Sequence, residues 1–81
     1  MKKTGEILRK AREEKGLSLH EVGIFLKINT RILQAIEEGQ VEKLPAKTFL
    51  RGFIQSYAKY LKLDANHVLK IFSDELRPPK T

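Results

Sequence analysis

The chain contains no cysteine, which excludes disulfide staples and thiolate metal sites and fits a reducing compartment. It has no apolar run approaching the ~20 residues that a membrane-spanning helix requires. The start, MKKTGEILRK, carries charge but no apolar stretch behind it, so it lacks the form of a secretory signal. His20 and His67 fall in different expected helices, with no H-E-x-x-H or comparable spacing around them, so a metal site is not expected. The glycines are scattered, which excludes a phosphate loop, and Ser18, Ser56 and Ser73 have no evident base. These absences lead to the expectation of a non-enzyme with no cofactor, no metal and no small-molecule substrate.

Eighty-one residues make one domain at most. A chain of this size buries only about 60–65% of its extended surface, so stability has to come from helix packing. A net charge of +6 favours an acidic partner: nucleic acid, anionic lipid or an acidic protein surface. Much of that charge sits beside glutamate in the first helix and reads as a solvated surface.

No repeat and no sustained strand alternation is present; the periodicity is helical throughout. A first helix is expected over residues 4–15, burying Ile7, Leu8 and Ala11 and stopping at Gly16. Ser18 and Glu21 form an S-x-x-E capping box, opening a second helix that carries Val22, Phe25 and Leu26 inward. Asn29 or Thr30 can cap a third, with Leu33 and Ile36 facing the core and Gly39 ending it. After a loop over residues 40–44, Pro45 suits the first turn of a fourth helix. Asp64 is a natural N-cap for a fifth, where Val68, Leu69, Phe72 and Leu76 share one face. The expected fold is therefore all-α: a five-helix bundle over residues 1–76 containing a Cro/Xre-like helix-turn-helix, followed by the start of a linker over residues 77–81. The helix-turn-helix comprises residues 18–26 and 29–38, with the small Gly23 where its two helices cross.

The fourth helix carries more apolar and aromatic surface than one buried face needs. In LPAKTFLRGFIQSYAKYLKL, residues 44–63, the apolar positions cover about half the circumference at roughly 100° per residue. Tyr57, Leu50 and Leu61 lie near the middle of the arc, with Ile54 and Ala58 at one margin. Phe49, Tyr60 and Phe53 gather at the other, and beyond them come Ser56 and Gly52, small enough to admit another backbone. Glycine inside a helix costs about 1 kcal/mol relative to alanine and gives no packing in return unless something comes close. Such a helix can bury the middle of its arc and offer the aromatic edge to a protein partner. Lys47, Arg51 and Lys59 are candidate rim charges.

A helix-turn-helix can instead read DNA, with the first turn of its second helix in the major groove. The candidates for that role are Thr30, Arg31 and Gln34; Arg31 could pair with guanine and Gln34 with adenine. Three features weaken the DNA reading or depart from the pattern. The motif resembles the Cro/lambda-repressor class, where the residue after the cap serine is usually glutamine, but here it is Leu19. Glu37 and Glu38 put negative charge close to the proposed DNA face, and in that class the second of these is commonly basic. Lys27 occupies a turn position usually held by glycine, a matter of turn geometry rather than of binding. Lys2, Lys3, Arg9, Lys10 and Arg12 leave room for weak, nonspecific phosphate binding.

Two blocks, LRKAREEKGLSLHEV and LQAIEEGQVEKLPAKTFLRGFIQSYAKYLKLD, closely resemble the cytoplasmic domain of the RodZ family of bacterial cell-shape proteins. The likeness covers residues 4–64, and the segment from Glu42 to Ala58 is far more specific than a generic helix-turn-helix. What it implies is a divergent Cro-like domain that binds the bacterial actin homologue MreB and links its filaments to the inner membrane. That link would run through a transmembrane segment absent from this chain. The expected location is accordingly the cytoplasmic side of a single-pass inner-membrane protein. The family's MreB-contacting aromatics map onto Phe49 and Phe53, while Tyr60 joins them on helical geometry alone. The leading expectation is thus an MreB-binding adaptor for rod-shape maintenance, and the alternative is a sequence-specific DNA-binding regulator of the Cro/Xre type. A weaker third idea is a lipid-surface role for the basic tail near Arg77 and Lys80.

Overall fold

Helix formation begins ahead of the first apolar stripe, at Lys2 rather than at residue 4. In the computed structural model, which describes residues 2–44 and 46–76, α1 spans Lys2–Glu14, α2 Leu19–Leu26, α3 Thr30–Glu38, α4 Lys47–Tyr60 and α5 Ala65–Leu76. A 3-10 turn, Val41–Lys43, lies in the connection from α3 to α4. Two expectations, Pro45 in the first turn of the fourth helix and the linker over residues 77–81, lie outside the described residues. The fourth helix starts at Lys47, with Ala46 as an N-cap that makes no side-chain hydrogen bond.

The local signals for helix ends act as their chemistry requires. Ser18 Oγ accepts from the Glu21 N–H at 3.1 Å, and the Glu21 carboxylate accepts from the Ser18 N–H at 3.3 Å, so both halves of the capping box are made. Asn29 Oδ1 accepts from the Arg31 N–H at 2.8 Å, and Asp64 Oδ1 accepts from the N–H groups of Asn66 and His67. Lys27 caps the end of α2 in the left-handed region at φ 56°, a position where a side chain costs more than glycine would. The Ile28 N–H closes the same turn by donating to Gly23 O at 3.1 Å. Gly23 fits closely there: a Cβ at this position would meet Ile28 O at 3.0 Å, tight enough that the turn would have to yield by a few tenths of an ångström.

Each helix turns one stripe inward. Leu8, Val22, Leu33, Ile36, Leu50, Ile54, Tyr57, Leu61, Val68 and Phe72 are all within 1% of complete burial. α1 packs on α3 and α5, and α4 packs on α5 and, more lightly, on α2.

Two features bind α1 into this arrangement. The first is Gly5, which sits against the end of α3; an added Cβ would lie 2.4 Å from Glu37 O and 2.5 Å from Ile36 O. Backbone oxygens cannot swing aside, so Gly5→Ala is expected to force the helices apart at a cost of about 1–3 kcal/mol. A urea titration followed by circular dichroism checks this, and an unchanged midpoint would show that the contact is loose.

The second is the Glu75 carboxylate of α5, which caps the start of α1. It accepts from Lys3 N–H at 2.8 Å, Thr4 N–H at 2.7 Å and Thr4 Oγ1–H at 2.6 Å. Burial alone would raise the Glu75 pKa, but the hydrogen bonds from Thr4 and Lys3 outweigh it and hold it below the ordinary 4.5. A depressed carboxylate pKa stabilises the fold above the unfolded-state value, and that contribution is lost as pH falls through the folded-state value. Wild type is therefore expected to melt higher than Glu75→Gln near neutrality, with the gap closing below about pH 4.5. A gap that persists in acid would contradict the assignment.

Candidate functional site

The orientation of α4 decides what the protein presents to a partner. Tyr57, fully buried, is the pivot. Its hydroxyl donates to Glu37 Oε2 of α3, and the same carboxylate accepts from Arg12 Nε of α1 at 2.8 Å and Arg12 Nη2 at 3.1 Å. Arg12 Nη1 also donates to Leu17 O at 2.7 Å. The two charged side chains are only 12% and 4% exposed, so the pair is worth keeping only because every polar atom has a partner. The hydrogen bond to Glu37 raises the Arg12 pKa against the lowering effect of burial. Burial first, and then the adjacent Glu37 carboxylate, push the Tyr57 phenol well above its ordinary value. This network locks the rotation of α4 against α1 and α3.

From that fixed point the surface of α4 grades from covered to open. At ~100° per residue, Phe53, Tyr60, Phe49 and Ser56 lie about 40°, 60°, 80° and 100° round from Tyr57, and Gly52 about 140°. Exposure follows the same order. Phe53 and Tyr60 are half-buried, Phe49 is 66% exposed, and Ser56 and Gly52 are open. Among the described residues, nothing lies within 4 Å of the position a Gly52 Cβ would take. On the other side of Tyr57, Leu50, Ile54, Ala58 and Leu61 are buried. From Phe49 to Tyr60 the edge runs about 16 Å along the helix at 1.5 Å per residue, with Arg51 and Lys59 exposed.

The five residues expected to form a protein-binding edge thus share one flank. One more side chain joins them against expectation. Phe25 of α2, expected to point inward, is 66% exposed, and its ring stacks on Tyr60 with centroids 4.3 Å apart and planes at 26°. The reason is angular. Leu19, Val22, Gly23 and Leu26 already define the inward stripe of this eight-residue helix, and Phe25 lies about 60° beyond Val22.

Glu37 is the second correction. It was expected beside the DNA face but is 7% exposed and neutralised by Arg12. A signal for this pair was present in the sequence. Arg12 stands four residues after Leu8 and Glu37 four after Leu33, so each opposite charge falls inside its helix's apolar stripe.

The alternative DNA-reading residues sit at the start of α3. Arg31 and Gln34 are exposed and Thr30 is half-buried. The Gln34 side-chain amide donates to Glu38 Oε2 at 3.2 Å, which holds an acidic group against the proposed reading face. Leu19 is partly buried against the core. Among the described residues, no group of three or more histidine, cysteine, aspartate or glutamate side chains could hold a metal ion, and no helix is long and apolar enough to cross a membrane.

Comparison with known proteins fits this geometry. A helix-turn-helix domain family model matches residues 7–68. The cytoskeleton protein RodZ of Streptococcus pneumoniae (strain ATCC BAA-255 / R6) is 39% identical over 72 residues, covering 88% of this chain and 26% of that protein. An uncharacterised protein of Haemophilus influenzae (strain ATCC 51907 / DSM 11121 / KW20 / Rd) is 37% identical over 60 residues, covering 73% of this chain and 20% of that one. The chain therefore spans about a quarter or less of the length of these relatives. Among solved structures, a chain from the complex described as "Bacterial actin MreB assembles in complex with cell shape protein RodZ" superposes with a TM-score of 0.86. It is 34% identical and covers 91% of this chain and 90% of that one. The chain belongs to this helix-turn-helix family and is a helix-turn-helix domain of the RodZ type.

Proposed function

We propose that this domain is an MreB-binding adaptor that docks the aromatic edge of α4 onto a filament subunit. The observation that carries the reading is the partly uncovered line Phe49–Phe53–Tyr60, with Phe49 66% exposed and the other two half-buried, beside the open backbone at Gly52. Exposed aromatics of this kind act as anchors when a partner's pocket desolvates them. Arg51 and Lys59 supply a basic rim for an acidic surface. Its similarity to a solved RodZ-complex chain supports the choice of MreB as partner. In the longer protein, the domain sits on the cytoplasmic side and links filaments to the inner membrane through a segment outside this chain. It works as a binding module, without catalysis. The DNA reading is less well supported, because Glu38 engages Gln34 and Leu19 offers no donor to phosphate.

Co-sedimentation of the 81-residue chain with MreB filaments, with and without excess duplex DNA, tests this reading. Binding indifferent to DNA supports it. Failure to co-sediment, with tight sequence-selective DNA binding instead, would replace it.

Gly52 gives a sharper check. Gly52→Ala is expected to stabilise the free domain by about 1 kcal/mol, because the helix gains propensity and the methyl meets none of the described residues. The same methyl is expected to weaken filament binding. A variant that is more stable and binds equally well would show that no partner backbone comes close at this position.

A further inference from the structure

The α4 edge does not end at Tyr60. Phe25 of α2 lies against the Tyr60 ring, and the two aromatics wall a shallow, mainly apolar groove completed by Leu26, Ser56, Lys59 and Lys62. We infer that this groove between α2 and α4 is a second anchor point of the same docking surface, taking an apolar side chain of the filament subunit flanked by carboxylate. The inference rests on the α4 reading above and adds a residue from the helix-turn-helix proper.

Three observations lead to it. Phe25 is two-thirds exposed while Leu19, Val22 and Leu26 of α2 pack on the core, so the ring has no core role to explain its position. The groove is continuous with the proposed edge, since Ser56 and Tyr60 belong to both. Its chemistry is specific, because an apolar floor with Lys59 and Lys62 beside it fits an apolar group next to negative charge. The stack also restricts the Tyr60 ring before binding, which lowers the ordering cost that a lone exposed tyrosine would carry.

The test measures the affinity of Phe25→Ala, Tyr60→Ala, their double variant and Ile24→Ala for MreB filaments. Each variant is first shown to be folded by circular dichroism. Phe25→Ala and Tyr60→Ala are each expected to weaken binding about tenfold. The double variant should lose less than the product of the two, because either change opens the same groove. Ile24 is 65% exposed but outside the groove, and its replacement is expected to leave affinity unchanged. Charge reversal at Lys59 and Lys62 should slow association and flatten its salt dependence.

Wild-type affinity in Phe25→Ala, with binding still lost in Phe49→Ala/Phe53→Ala, would overturn the groove and leave the α4 edge standing. Equal losses in Phe25→Ala and Ile24→Ala would reduce the effect to general surface hydrophobicity and also overturn it. Failure of the wild-type chain to bind filaments would end both readings.

Discussion

Glu37→Ala is expected to destabilise the domain by about 3–5 kcal/mol, the cost of removing one partner from a buried ion pair. The variant leaves the Arg12 guanidinium, 12% exposed, with the Leu17 carbonyl as its described hydrogen-bond partner. It also leaves the Tyr57 hydroxyl in the core with no acceptor in place of Glu37. Domains have total stabilities of about 5–15 kcal/mol, and small ones sit at the low end, so this single change should leave the chain largely unfolded at physiological temperature. Tyr57→Phe removes one charge-assisted hydrogen bond without stranding the ion pair and is expected to cost about 1.5–3 kcal/mol. The ranking is the informative part, and urea unfolding followed by circular dichroism gives it. Equal costs for the two variants, or a Glu37→Ala protein near wild type, would mean that the network does not hold α4 in register.

The second large effect is on binding. Phe49→Ala/Phe53→Ala is expected to lower affinity for MreB filaments about a thousandfold. This corresponds to roughly 4 kcal/mol if each ring is an anchor worth about 2 kcal/mol. The effect should separate cleanly from stability. Phe49 is 66% exposed, so its truncation removes little folded-state packing, and Phe53 is half-buried at the margin of the core rather than inside it. A loss of about 1 kcal/mol in stability is expected, within the range of most single substitutions. Binding measured well below the melting transition then reports the interface alone. A decrease in affinity no larger than tenfold would move the anchor away from these two rings.

Whatever depends on neighbours in sequence is legible in the sequence. The Ser18–Glu21 capping box, the Asn29 and Asp64 caps and the stops at Gly16 and Gly39 are local chemistry, and all are present. The gradient of exposure around α4 was legible too, because a fourteen-residue helix fixes its own angles and Tyr57, Leu50 and Leu61 mark its core-facing centre. The outward position of Phe25 is not legible in the sequence because α2 has only eight residues, too few turns for its apolar stripe to be separated from an apolar residue just outside it. The remaining features join distant parts of the chain. Arg12 meets Glu37 across 25 residues, Tyr57 meets Glu37 across 20, and Glu75 caps α1 from 71 and 72 residues away. Gly5 is needed only because α3 crosses there. Helix periodicity says which side of a segment is covered but not which neighbour covers it.

The account stands on the claim that the uncovered flank of α4, not the start of α3, is the working surface. The most direct test compares two folded double variants in one filament-binding titration, Phe49→Ala/Phe53→Ala against Arg31→Ala/Gln34→Ala. The account predicts that the first loses MreB and the second binds it like wild type. Retained binding in the first with loss in the second would contradict it.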